Sequence, residues 1–220
     1  MRKKSSLIAL TVVVFAGLVY LFAWSPVFEV KAISATGIPE GIRSEMIIEK
    51  SGVEIGEKLS RIDPRSIERS LEELSWVKSA SIDRNWVNGE VLLNLTSRIP
   101  VGIYQGKAID RSGTLFLIPG KTPPGLPVVS AASPELGLEA IDLFTHLPAD
   151  IQGATITVSA ANTNFISSWQ MRDGAKLKIT WGSSQDIELK VSVLKALLDL
   201  PENKEITRVD LSAPHAPIVK

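Results

Sequence analysis

At 220 residues, with 45% hydrophobic and 22% charged side chains, the chain has ordinary globular composition and room for a membrane segment plus one or two small domains. Its 24 basic and 24 acidic residues cancel, which leaves no overall field to recruit nucleic acid, and the absence of cysteine excludes disulfides, thiolate chemistry and cysteine-ligated zinc. Positive charge is concentrated at the amino end: Arg2, Lys3 and Lys4 precede any acidic residue, so the remainder holds 21 basic against 24 acidic residues.

Residues 7–24 read LIALTVVVFAGLVYLFAW, 18 residues without a charge. At 1.5 Å per residue this is about 27 Å of helix, close to the hydrocarbon thickness of a bilayer. The segment is predicted to be a transmembrane anchor with Leu7, Val12, Phe15, Leu18, Leu21 and Trp24 among its lipid-facing residues. Residues 1–6 then form a cytoplasmic tail held inside by its basic side chains, Tyr20 and Trp24 suit the far headgroup region, and everything after Ser25 is exported. A cleaved signal peptide shares the charged start. Against it, the apolar run exceeds the usual core of about 7 to 15 residues, no A-x-A site follows, and Pro26 fits poorly in a peptidase cleft. A buried soluble helix would need a polar face, which this segment lacks.

The first folded element therefore emerges directly at the membrane surface. Residues 28–34 alternate as a strand closed by Gly37. A helix is predicted over residues 42–51, with Ile42 and Met46 on one face, Ile47 and Ile48 widening it, and Gly52 as its stop. A second helix is clearer: Asp63 caps it, Pro64 takes its first position, and Ile67, Leu71 and Leu74 form its apolar stripe. Residues 77–84 and 91–96 pair as a hairpin, with Asn88-Gly89 as a type I′ turn. The order strand, helix, helix, strand, strand makes a domain of about 70 residues in which two helices cover one face of three strands.

After Pro100 the composition shifts toward Gly, Pro and Thr, and KTPPGLP at residues 121–127 reads as a stiff exposed connector. Strands are predicted at 107–109 and 114–118 around the DRSG turn, a short helix at 135–147, and strands at 151–159, 164–171 and 176–181. Asp173-Gly174 marks another hairpin turn. A helix over 185–200 carries Ile187, Val191, Leu194 and Leu198 on one stripe, with Ser183 or Ser184 as cap and Pro201 as stop. Residues 206–211 form a last strand.

These pieces, taken in order, resemble the FtsQ/DivIB family of bacterial cell-division proteins. The resemblance rests on FEVKAISATG (28–37), the stretch at 56–59 before Asp63, LSWVKSASIDRNW (74–86), SRIPVG (97–102), IDRSGTLF (109–116), LPVV (126–129), Trp181-Gly182, Lys190 and VDL (209–211). It departs from the family at Trp86-Val87, commonly Trp-Pro, at Ser97-Arg98, commonly acidic then Arg, and in its short amino-terminal tail. The resemblance implies an α+β architecture: transmembrane helix at 7–24, a βααββ POTRA domain at 25–100, and a β-rich domain at 101–220 with a mixed or antiparallel sheet and helices. It also implies a non-catalytic scaffold in the inner membrane at the division septum. Its expected partners are an FtsB/DivIC-like and an FtsL-like coiled-coil protein, bound through the β domain, with no cofactor, nucleic acid or small-molecule substrate.

The residues themselves offer little to catalysis. His146 and His215 sit in no metal spacing, no Gly-x-Ser-x-Gly elbow is present, and Gly52, Gly56 and Gly113 form no phosphate loop. Glu72 and Glu73, adjacent on a helix, point about 100° apart and cannot converge like a glycosidase pair. Trp76 and Trp181 read as core, while Trp86 beside a turn stays open between core and recognition. Ile206, Thr207, Arg208, Val209, Asp210 and Leu211 are the candidate binding segment. Thr207, Val209 and Leu211 are expected on one face, and Pro214 and Pro217 bar regular continuation. If the strand is a sheet edge, its free backbone can accept a partner strand; otherwise it completes the sheet behind outward charges. A POTRA-bearing transport component is the competing class, but it predicts repeated POTRA units or a barrel. An anchored cell-wall enzyme would need an essential ionisable residue.

Overall fold

The computed structural model describes residues 2–23 and 28–220. The chain opens with helix α1, Arg2–Ala23. Its described side chains, among them Val12 and Phe15, are exposed along an apolar surface. Of the other expected anchor positions, the side chains of Leu7, Leu18 and Leu21 and the whole of Trp24 lie outside the described residues. Among the described residues no helix is long and apolar enough to cross a membrane. Within α1 the described side chains run only from Ile8 to Tyr20, about 20 Å of helix against a hydrocarbon core of about 30 Å.

The chain divides into two compact units, Met1–Arg98 and Ile99–Lys220. In the first, β1 (Ala32–Thr36), α2 (Ser44–Ser51), α3 (Pro64–Glu72), β2 (Val77–Asn85) and β3 (Glu90–Ser97) follow in the expected order. The sheet runs β1-β3-β2, with β1 parallel to β3 and β2 antiparallel to it. Val91, Leu93 and Leu95 of β3 face a core that includes Leu71, Leu59, Ile47 and Trp76. Asp63 caps α3 as expected, its side chain accepting the Arg65 N–H at 3.1 Å, with Pro64 at the first helical position. In α2 the buried apolar residue is Ile47, whereas Met46 is 53% exposed and Ile42 precedes the helix, so the expected apolar face is rotated by one position.

The β2–β3 turn is not the expected two-residue type I′ turn. Of Asn88 and Gly89 only Gly89 has positive φ, at 75°. Four residues separate the strands, and Asn85 organises them: its side-chain oxygen accepts the Val87 and Asn88 N–H groups at 3.1 and 3.2 Å, and its carbonyl accepts the Gly89 N–H at 2.9 Å. An Asx side chain thus does the work that the dipeptide would have done through its backbone angles.

The second unit is a nine-stranded mixed sheet with helices on one face. Its strands are β4 (Gly102–Tyr104), β5 (Lys107–Ile109), β6 (Leu115–Phe116), β7 (Val128–Ala131), β8 (Thr155–Asn162), β9 (Phe165–Arg172), β10 (Ala175–Gly182), β11 (Arg208–Asp210) and β12 (Ile218–Val219). The helices are α4 (Pro134–Thr145), α5 (Ala149–Ala154) and α6 (Ile187–Asp199). Strand order is β12-β11-β10-β9-β8-β7-β4-β5-β6. Side chains from all three helices join Val158, Ile166, Leu177, Ile179, Trp181 and Val209 in one core.

Three expectations are corrected here. Residues 151–154 belong to helix α5, not to a strand, because Ile151 enters the core and the Gln152 amide donates to the Phe144 and Leu147 carbonyls at the end of α4. Helix α6 is not capped by Ser183 or Ser184: its flanking residue is Asp186, at φ 52°, with no side-chain cap. Strands β4, β7 and β12, all short, have no counterpart in the sequence-based assignment.

A candidate partner-binding edge

The segment singled out for binding lies at the end of the large sheet. The strand itself is shorter than expected, Arg208–Asp210, and Ile206 packs against the core beside the buried Val209 and Leu211 while Thr207 is exposed. The expected alternation of Thr207 with Val209 and Leu211 therefore fails at its first member, because extended pairing starts only at residue 208.

β11 is also not an edge. On one side it runs parallel to β10, the Lys178 N–H donating to the Thr207 carbonyl at 2.9 Å and the Leu211 N–H to the Thr180 carbonyl at 2.8 Å. On the other side β12 pairs with it antiparallel, Val209 opposite Val219 and Asp210 opposite Ile218. The Lys220 carbonyl accepts both the Thr207 and Arg208 N–H groups, at 2.7 and 3.0 Å, and the Lys220 N–H donates to the Arg208 carbonyl at 3.0 Å. Arg208 and Lys220 thus exchange both bonds of a close pair. By the alternation of antiparallel ladders, the intervening Val219 turns its own N–H and C=O outward. Pro217, just before β12, has no N–H to offer.

The return from β11 to β12 is built locally. The Asp210 carboxylate accepts the Ser212 N–H at 2.9 Å and its hydroxyl at 2.6 Å, turning the chain immediately after the strand. Gly182 makes room for that turn: at φ 75° it tolerates a left-handed backbone, and a Cβ there would stand 3.1 Å from Ser212 Cα. The Trp181-Gly182 pair therefore has two separate tasks, Trp181 filling the core and Gly182 admitting the last turn.

The sheet face opposite the helices is laid out by register. Trp169 lies beside Lys178 and Lys178 beside Arg208, while Ser167, Thr180, Asp210 and Ile218 form the next row. The Lys178 ammonium stands 5.9 Å from the Trp169 ring centroid. Phe165 is 46% and Ile218 57% exposed, and between them Thr180, Arg208 and Asp210 help line a shallow cavity of about 270 Å³. The result is a mixed aromatic, cationic and apolar surface beside a strand whose backbone is only thinly covered.

His146 and His215 are exposed, His146 against the Asp142 carbonyl at 2.8 Å. No group of three or more metal-binding side chains gathers among the described residues. Lys190 is the unusual ion. Almost fully buried in α6, it donates to the Ser183 carbonyl at 2.8 Å. Burial holds its ammonium below the ordinary lysine value, with the Asp186 carboxylate partly opposing.

This architecture, a βααββ unit followed by a mixed sheet with helices on one face, is that of a POTRA-bearing protein. A model of the FtsQ-type POTRA domain matches residues 28–98, and one of the FtsQ/DivIB cell-division protein carboxy-terminal domain matches residues 98–212. The chain belongs to the FtsQ/DivIB family of cell-division proteins. It is 29% identical to the cell division protein FtsQ of Streptomyces griseus over 206 residues, 86% of this chain and 96% of that one. It is 28% identical to FtsQ of Corynebacterium glutamicum over 223 aligned positions, 97% of this chain and 96% of that one. FtsQ of Haemophilus influenzae is 24% identical over 154 residues, 68% of this chain and 60% of that protein.

Proposed function

We propose that this chain is a non-catalytic, single-pass scaffold of the division machinery, anchored in the inner membrane by α1 with its two folded units outside the cytoplasm. In this reading Leu7, Val12, Phe15, Leu18, Leu21 and Trp24 face lipid, and the basic residues 2–4 hold the amino terminus inside. The non-catalytic part rests on membership of the FtsQ/DivIB family of cell-division proteins. The POTRA unit occupies residues 25–100 and the β domain 101–220.

The β domain gathers FtsB/DivIC-like and FtsL-like coiled-coil proteins at the septum by accepting a partner strand at the end of its large sheet. The observation that carries this is β12. It covers β11 with two residues, and it lies beyond residue 212, where the family match ends. The partner strand takes the place of β12, pairing with Arg208 and its neighbours among residues 206–211. Main-chain hydrogen bonds supply affinity, and the neighbouring Lys178 and Trp169 supply selectivity.

Arg208→Pro tests this. The Arg208 N–H points to β12, whereas the bonds to β10 involve Thr207 and Leu211, so proline removes the edge donor and leaves the β10 ladder intact. On purification of the tagged full chain from membranes, the wild type and Arg208→Ala retain the small coiled-coil partners and Arg208→Pro loses them. Equal recovery with all three overturns strand addition. Recovery of no such partner with the wild type overturns the scaffold.

A further inference from the structure

The POTRA unit hangs close to the end of α1. Only residues 24–27 separate Ala23 from Phe28, so Phe28 lies within about 17 Å of the helix end however those residues run. Around Phe28 the fold gathers one end of the small sheet. The Lys31 and Ala32 N–H groups donate to the Gly89 carbonyl at 2.7 and 3.3 Å, and the Leu59 N–H donates to the Phe28 carbonyl at 3.0 Å. The Phe28 ring meets Trp86 edge to face, centroids 6.0 Å apart. The β2–β3 hairpin tip therefore sits at the end where the chain arrives from the helix.

At that tip an exposed valine follows a half-buried tryptophan. The Arg84 guanidinium lies 5.4 Å from the Trp86 ring centroid while donating to the Leu59 and Ile62 carbonyls at 3.0 and 3.1 Å. Asn85 fixes the turn from inside, as described above. Val87, the next residue, is 87% exposed, the most exposed large apolar side chain among the described residues. Arg61, in the loop beside Phe28, is also exposed. The acidic side chains nearby are partly engaged: Glu29 pairs with Lys58 at 2.6 Å and Asp63 caps α3, while Glu90 is exposed. A single exposed valine needs no explanation on a soluble surface. One beside a tryptophan and an arginine, so few residues from the end of α1, has a partner within reach if α1 is the membrane anchor.

We propose that the Trp86-Val87 tip, with Arg61 beside it, rests in the phospholipid headgroup layer of the bilayer that holds α1. Tryptophan favours that layer because one end of its ring system is apolar and its N–H is polar, and a guanidinium matches lipid phosphate. The contact need not be strong alone, since the tether keeps the tip at high effective concentration near the surface. Docking would set the face that the POTRA unit shows to other proteins. This rests on the membrane-anchor reading of α1.

The chain has no cysteine, so one introduced cysteine can carry an environment-sensitive fluorophore without background. Full-length V87C, K78C and F15C, labelled and reconstituted singly into phosphatidylethanolamine/phosphatidylglycerol discs, are compared for quenching by lipids bearing a shallow or a deep quencher. Lys78 is exposed at the opposite end of β2. The expected result is deep quenching at F15C and shallow quenching at V87C, exceeding K78C by at least about twofold. Adding R61E should lower the V87C signal. If F15C is quenched but V87C matches K78C, docking is overturned and the anchor stands. If F15C is not quenched, the anchor reading fails and docking falls with it.

Discussion

Trp181 donates its indole N–H to the Ser168 hydroxyl oxygen at 2.9 Å across neighbouring strands, and both residues are completely buried. The bond joins β9 to β10, the strand against which β11 is paired. Ser168→Ala leaves that indole N–H without a partner and should cost about 1–3 kcal/mol, the penalty of an unsatisfied buried donor. Trp181→Phe removes the donor as well as some packing. In a double-mutant cycle, the pair should cost less than the sum of the singles, read by urea denaturation of the chain from residue 28 onward. Strict additivity would mean that the hydrogen bond contributes nothing of its own.

Gly182→Ala tests whether the approach of the last turn shapes the edge. A left-handed alanine costs about 1–2 kcal/mol, and its Cβ, 3.1 Å from Ser212 Cα, must push that residue away. Hydrogen exchange should quicken at Thr207, Arg208 and Lys220, whose amides bind across β11 and β12, while the middle of β9 stays protected. Unchanged exchange at those three amides would show that Ser212 can move without loosening β12.

Much of this fold can be read along the chain where one face is consistently apolar. Leu177, Ile179 and Trp181 alternate with Lys176, Lys178 and Thr180, and the first three are buried. Asp63-Pro64 marks the start of α3 because capping and the fixed proline φ act within a few residues. Strands β4 and β7 are too short for a period-two pattern; Gly102–Tyr104 is a strand because β5 and β7 flank it. The candidate segment was legible as a terminal strand, but its covering by Ile218–Val219 was not, since Pro214 and Pro217 read as an ending. That covering depends on Lys220 reaching back to Arg208, a contact with no local signal. The Asn88-Gly89 turn misled for a related reason: Asn85, three residues earlier, determines the loop.

The cap of α3 offers a local test in the POTRA unit. Asp63→Ala removes the acceptor for the Arg65 N–H and should weaken the helix by about 1 kcal/mol, raising amide exchange in its first turns about fivefold. Asp63→Asn keeps an acceptor in the same place and should stay near wild type. If both variants exchange alike, the carboxylate charge rather than the cap holds the helix start.

Lys190 links the core to pH. Burial lowers its pKa from the ordinary 10.5, with Asp186 pushing the other way, so the unfolded chain binds this proton more readily than the folded one. Between the lowered folded value and 10.5 the unfolded state therefore carries more protons, and the group's contribution to stability rises with pH across that window. Below the window the buried charge is a standing cost, offset in part by the bond to the Ser183 carbonyl at 2.8 Å. Lys190→Met removes the titration while keeping much of the side-chain volume. Denaturation of wild type and variant at several alkaline pH values should show the wild type gaining on Lys190→Met as pH rises. A wild-type stability that stays level with pH relative to Lys190→Met, or falls behind it, would mean that the ammonium is not desolvated in the folded chain.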